Sequence, residues 1–290
     1  MTGEQGQMPA RKVITARQVR LAAELRKLRE RADLSVQEGA RALGIAQAKL
    51  SNTESARVGV SPDRVRHFAS QYACDDAALV EALAAMAAER ANGWWEEYRE
   101  LLPPGFLDLA ELERNARYLH TIEIAHVPGL LQTEEQVRAI FAYSVPEFPT
   151  KELEARVDYR LRRQSVLDGA EAPPYEAVIH EAALRIRVAN RAVARRQLLH
   201  ILEMTQRPGI TVRVIPFDVD GFAGVGYPML HAGGPVPQLD TVLLDSVHGV
   251  AFLDGESQLS RYRALFSKVK GAALDEVVSR ELIHRLTKEA

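Results

Sequence analysis

Residues 34–54 constrain this chain more than any other stretch: a helix-length run, a break at Leu43-Gly44-Ile45, and a second short helical run. Ser35 is a strong N-cap, because its hydroxyl accepts a hydrogen bond from an otherwise unpaired amide, and Glu38 completes a capping box. A helix is expected to start there. Val36, Ala40 and Leu43 recur at steps of four and three and so share one helical face that must be buried. Gly44 supplies the left-handed backbone that ends such a helix, and Ile45 beyond it returns to the core. The second helix, Gln47–Glu54, offers Leu50 inward and leaves Gln47, Ala48, Lys49, Ser51 and Asn52 to point elsewhere. Glutamine and asparagine form paired hydrogen bonds with adenine edges, and lysine reaches guanine or phosphate, so this outward face is equipped to read bases.

The flanks agree. Leu21, Leu25, Leu28 and Ala32 form an apolar stripe flanked by Arg20, Arg26, Lys27, Arg29 and Arg31, which predicts a basic amphipathic helix upstream. Downstream, Ser61-Pro62 is a capped start, and Val65, Phe68, Ala69 and Tyr72 give the next buried stripe. Four or five short helices in this space make one compact all-α domain. Helix pairs joined at a glycine also occur in ordinary bundles, and a basic helix face is often no more than a solvated one. Charge favours the nucleic-acid reading. Residues 1–75 carry 13 Lys and Arg against 8 Asp and Glu, leaving 24 against 31 for the remainder, so the first part is basic and the rest acidic. A basic module suits the phosphate backbone.

These residues carry a resemblance. Leu-Arg-Lys-Leu-Arg-Glu (25–30), Leu-Ser-Val-Gln-Glu-Gly-Ala (34–40), Leu-Gly-Ile (43–45), Lys-Leu-Ser (49–51), Glu54 and Ser-Pro (61–62) are similar to the Cro/repressor-type helix-turn-helix, the xenobiotic-response-element family. The resemblance implies that Gln47–Glu54 lies in the major groove. It makes Gln37, Gln47, Ala48, Lys49, Ser51 and Asn52 the candidate base readers, and Arg20, Arg26, Lys27, Ser35 and Arg57 the candidate phosphate contacts. Thr53, Ala46 and Ala56 stand where the family usually has an apolar residue, serine and glycine, which predicts a recognition helix less firmly capped and packed.

The sequence divides into a disordered tail (1–15), a helix-turn-helix domain (16–76), a connecting helix (77–92) and a larger mixed α/β (α+β) domain (93–290). Residues 77–90 are alanine-rich, with Leu79, Leu83 and Met86 on one stripe, and Asn92-Gly93 breaks them. Trp94, Trp95 and Tyr98 follow, either as a stacking platform for a planar ligand or as core. Strands are predicted at 118–124, from 177, and at 211–217, 227–231, 241–244 and 250–254. Helices are predicted at 132–143 and 151–167, with two more closing the chain.

Further strings resemble the C-terminal domain found behind this helix-turn-helix in many actinobacterial regulators: Val-Pro-Gly-Leu-Leu-Gln-Thr (127–133), Arg160 with Arg163-Gln164, Glu-Ala-Ala-Leu-Arg (181–185), Gln197-Leu198 and Val-Ile-Pro-Phe (214–217). This resemblance covers roughly residues 93–286. It implies a toxin-antitoxin-like regulator, encoded beside a small protein that this domain binds. Arg160 and Arg163 then either hold an anion or acidic partner, or form solvated pairs with Glu152, Glu154 and Asp158.

Catalysis finds no footing. His180-Glu181-Ala-Ala-Leu184 lacks the second histidine of a zinc-protease helix, the glycines at 221, 224 and 226 have the wrong spacing for a dinucleotide, and no strained elbow presents a serine. Neither metal nor cofactor is expected. Cys74 alone forms no intramolecular disulfide, and no apolar run long enough for a membrane or signal sequence is seen, so the cytoplasm is the expected location. Two functions follow as expectations: a homodimeric, sequence-specific regulator on double-stranded DNA, or an antitoxin-like module that sequesters a small partner protein.

Overall fold

The computed structural model describes residues 14–89, 93–224, 227–246 and 249–290. Its packing separates two units at residues 91/92.

The first unit is all-α: α1 (Ala16–Arg31), α2 (Val36–Ala42), α3 (Gln47–Glu54), α4 (Pro62–Gln71) and α5 (Ala77–Ala88). Caps fix its boundaries. Thr15 and Ser35 both form full capping boxes, and Ser61 and Asp76 cap α4 and α5. The predicted tail falls mainly on residues outside the described ones, but Thr15, assigned to it, is the cap of α1. Leu25, Leu50, Val65, Phe68 and Leu83 are fully enclosed and tie all but α2 into one core, which α2 joins through Ala40.

The helix predicted from residue 77 forms as α5, Ala77–Ala88. Leu79, Ala82, Leu83 and Ala84 of α5 are buried, so the helix is part of the first unit's core. An exposed alanine helix would bury nothing; this one contributes apolar area on the scale that holds small domains together.

One ion pair fastens the unit. Arg29 donates to both carboxylate oxygens of Glu54 at 2.8 and 2.9 Å and to the Leu34 carbonyl at 2.6 Å, with both side chains 6 % exposed. The carboxylate pushes the Arg29 pKa up despite burial. Gly39 explains itself here: a Cβ on it would stand 2.6 Å from Arg29 Cδ and 3.0 Å from the Tyr72 hydroxyl. A mid-helix glycine costs about 1 kcal/mol relative to alanine, and here it lets α2 close over the pair.

The second unit is α+β. Helix α6 (Pro104–Arg114) leads into β1 (Tyr118–Glu123); α7 (Glu134–Ala142) and α8 (Thr150–Arg163) cross to β2 (Tyr175–His180). Then come α9 (Glu181–Arg185), α10 (Arg191–Met204), β3 (Ile210–Ile215), β4 (Met229–Gly233), β5 (Thr241–Ser246), β6 (Gly249–Leu253), α11 (Glu256–Ala272) and α12 (Glu276–Glu289). The sheet order is β3-β2-β1-β4-β5-β6, with β3, β2 and β1 parallel and the rest antiparallel.

Alternation along the strands sends Leu119, Tyr175, Ala177, Ile179 and Leu243 to one face, packed on Leu198 and Ile201 of α10 and Leu282, Ile283 and Leu286 of α12. Ile122, Val178 and Val242 face the other way, onto Leu259, Phe266 and Val269 of α11. All six predicted strands form. Helices α6, α9 and α10 were not predicted.

Replacing Glu54 with alanine leaves a guanidinium buried without its partner and is expected to cost about 3 kcal/mol or more. Glu30→Ala removes an exposed pair and is expected to cost under about 0.5 kcal/mol. Urea unfolding of both variants measures the difference.

Candidate nucleic-acid interface

The two-helix element is built as its local sequence dictates. Ser35 Oγ accepts from the Glu38 amide, and Glu38 Oε2 accepts from the Ser35 amide at 2.9 Å and hydroxyl at 2.6 Å. Gly44 adopts φ +62°, and the Ile45 amide reaches back to the Ala40 carbonyl at 3.0 Å, closing the helix end. Leu50 and Thr53 hold α3 to the core. The Thr53 hydroxyl is satisfied by the Lys49 carbonyl at 2.9 Å, so a polar residue is tolerated at this buried place. Ala46 provides no side-chain cap, and Ala56 takes φ +58°, a backbone that favours glycine.

Gln37, Gln47, Ala48, Lys49 and Ser51 are exposed, and Asn52 is partly so. None of their side chains is engaged in a hydrogen bond or ion pair among the described residues. The first turn of α3 therefore presents its donors and acceptors to solvent.

The candidate phosphate contacts divide. Arg57 is exposed, and Arg26 is largely exposed though paired with Glu30. Arg20 is a correction: it is 8 % exposed and bonds the buried Glu24 at 2.8 Å, because a step of four on α1 places the two together. Lys27 pairs with the same Glu24 and is half-buried. The Ser35 hydroxyl is consumed by its capping box, with the Glu38 carboxylate standing over the end of α2. A phosphate would have to displace that carboxylate.

In the second unit, of the two readings of the aromatic run the core one fits the packing. Trp95 and Tyr98 are buried with Leu102, Leu107, Ala110 and Tyr159, and Trp94 packs edge-on to Tyr98 with Arg162 over its ring. Three rings one helical turn apart, with apolar neighbours, find core before ligand. Arg160 and Arg163 are not solvated either. Arg160 Nη1 donates to Gln132 Oε1 at 2.9 Å, and Arg163 Nε stands 2.9 Å from Glu113 Oε2, with Glu113 1 % exposed.

Three of the strings singled out in the sequence, 127–133, 160–164 and Gln197-Leu198, meet around these arginines. Gln164 Nε2 donates to the carbonyls of Gly129 and Gln132, while Gln197 Nε2 donates to the Leu131 carbonyl and its Oε1 accepts from the Thr133 amide. A Cβ on Gly129 would lie 2.8 Å from Arg163 Nη2 and 3.1 Å from Arg160 Nη1, so a larger residue here would push the guanidiniums from their places. Glu113 and Glu123, missed in the sequence, complete the cluster. Burial pushes the Glu113 carboxyl up to about 7 against the pull of Arg163 and Arg160. Burial, reinforced by Asp245, pushes Glu123 up to about 8, and burial lowers Arg160 to about 10.

His180, the first residue of the dismissed zinc pattern, caps α9: its Nδ1 accepts from the Ala182 amide at 3.1 Å. No group of His, Cys, Asp and Glu able to hold a metal occurs among the described residues, and no helix among them is long and apolar enough to cross a membrane. Gly226, one of the three glycines set aside as a dinucleotide site, lies outside the described residues.

Residues 20–91 match a family model described as "Helix-turn-helix domain", and residues 106–285 match one described as "Domain of unknown function (DUF5753)". No curated protein and no solved structure matches.

Glu113 and Glu123 hold protons in the folded state that the unfolded chain, with carboxyls near 4.5, releases. Their contribution to stability is therefore full below that value and is lost as the pH rises through about 7 and about 8. The urea midpoint of the second unit is expected to fall across this window, and Glu123→Gln to flatten its upper part.

Proposed function

The chain belongs to the family of the Domain of unknown function (DUF5753), whose match spans more than half of it, with a helix-turn-helix domain ahead, and on that premise we propose a sequence-specific DNA-binding transcriptional regulator. The observation that carries this reading is the first turn of α3: Gln47, Lys49 and Ser51 exposed on a rigidly held helix, with their hydrogen-bonding groups unspent. A helix so placed reads base edges in the major groove, as in the Cro/repressor type. Gln37 and Asn52 flank the reading face. Arg57 and Arg26 hold the backbone, and Lys27 joins them if it leaves Glu24.

The second unit dimerises the chain and receives the signal, from a small protein encoded beside it or from a small molecule. Dimerisation sets two copies of α3 about 34 Å apart, one turn of duplex, on a near-palindromic site. The protein works in the cytoplasm, on the nucleoid. An antitoxin-like role, in which the second unit sequesters the partner and DNA binding serves autoregulation, differs in what the partner does rather than in what α3 does.

Footprinting on the chain's own promoter, repeated at several salt concentrations, tests the reading. Gln47→Ala with Asn52→Ala is expected to lose about 1 to 3 kcal/mol of discrimination per base contact while weak general binding persists. Arg57→Ala is expected to weaken binding to all sequences alike and to reduce the log–log salt slope by about 1. Full operator preference in the double variant overturns the assignment of the reading face.

A further inference from the structure

Among the described residues, the buried side-chain atoms without a hydrogen-bond partner concentrate in one place: both oxygens of Glu113, Glu123 Oε2, Arg160 Nε and Arg163 Nε. Arg163 Nε and Glu113 Oε2 approach as an ion pair, but at angles that make no hydrogen bond. Each buried polar group left unpaired costs about 1 to 3 kcal/mol, and charged groups cost more. Folded proteins seldom keep several together unless water, an ion or another molecule completes them.

The place has a topological meaning. Glu123 ends β1, the strand at which the order β3-β2-β1 gives way to β4-β5-β6, and Asp245 lies near the end of β5, which runs in the same direction. Open sheets take ligands outside the carboxyl ends of their strands where the strand order reverses. Helix α6 brings Glu113, α8 brings both arginines, and the Gly129 backbone closes against them. Glu123 is only partly enclosed and Asp245 is exposed, so the cluster opens at this end.

The charge pattern restricts the ligand. A simple anion drawn to Arg160 and Arg163 meets Glu113, Glu123 and Asp245. A simple cation drawn to the carboxylates meets two guanidiniums, and the carboxylates do not converge as metal ligands do. A molecule with both signs a few bonds apart satisfies both halves. We propose that the Glu113–Glu123–Arg160–Arg163 cluster is a binding site for a compact zwitterion of amino-acid size, its carboxylate received by the two arginines and its ammonium by the two glutamates. The raised carboxyls fit the same picture: burial lifts both against the pull of Arg160 and Arg163, and an ammonium beside them would oppose that lift. This deepens the reading of the second unit as a receiver of signals but does not depend on α3 entering DNA.

The test uses the full chain, without DNA. Each of the twenty amino acids, and acetate and ammonium separately, is added at millimolar concentration and followed by thermal unfolding and titration calorimetry. At least one amino acid is expected to raise the unfolding temperature by about 3 °C or more at saturation, while acetate and ammonium do not. Glu123→Gln removes no hydrogen bond present in the chain and so should fold; it is expected to weaken that binding at least about tenfold, the loss of roughly 1.4 kcal/mol. The proposal is overturned if no amino acid binds, if acetate alone or ammonium alone stabilises as much, or if Glu123→Gln binds as the unaltered chain does. Promoter binding, measured separately, succeeds or fails independently of these outcomes.

Discussion

The enclosed pair of Arg29 and Glu54 sets where α3 can stand. Arg29 is on α1, Glu54 closes α3, and the Leu34 carbonyl that takes a third hydrogen bond leads into α2, so one guanidinium holds three helices in register. A buried ion pair is poor evidence of stability by itself, because desolvation offsets attraction. Its value here is geometric. A planar guanidinium donating to both oxygens of a carboxylate admits one orientation, and that orientation is transmitted to a helix of only two turns. Leu50 alone would allow α3 to roll about its axis. With Glu54 fixed, Gln47 and Lys49 are presented at a defined angle, and Gly39 is small so that nothing obstructs the pair.

Elements specified within one helical turn were legible in the sequence. Ser35 with Glu38, Gly44 before Ile45, and Ser61 before Pro62 each work through neighbours a few residues away, and each is found where the spacing puts it. What depended on distant partners was not legible. Arg20 looked like a phosphate contact because its charge suggested solvent, although its true partner, Glu24, stood four residues on in plain view. Arg29 looked like one more basic residue on a solvated face, since Glu54 lies 25 positions away. Helix α10 was missed because Gln197 interrupts its apolar stripe; that glutamine is buried because it binds the backbone at Leu131 and Thr133, a reason only the fold supplies. Helix α6 opens on Pro103-Pro104-Gly105, residues that argue against a helix, yet proline suits its first turn.

Three of the strings that resembled a known C-terminal domain turn out to be one assembly. Gly129, Gln132, Arg160, Gln164 and Gln197 are scattered over some seventy positions and meet in a single polar network. The resemblance located these residues without giving their purpose. Glu113 and Glu123 belonged to no recognised string, and a lone glutamate in a sequence reads as surface; enclosure beside Arg160 and Arg163 with carboxyl oxygens left unpartnered sets these two apart.

The two units spend charge differently. In the second unit some exposed charges are spent on one another: Arg138 with Glu154, Arg162 with Glu97, and Arg196 with Glu135 form two-point pairs on the surface, worth little to stability. Its Glu113, Glu123, Arg160 and Arg163 keep unpartnered atoms inside. In the first unit the enclosed charges are spent, Arg29 on Glu54 and Arg20 on Glu24, and the unspent groups of α3 face solvent. Water satisfies exposed groups at no cost, so their freedom invites a partner without requiring one. Enclosed groups have no such refuge, so the unpartnered atoms of Glu113, Glu123, Arg160 and Arg163 carry a cost that the free groups of α3 do not.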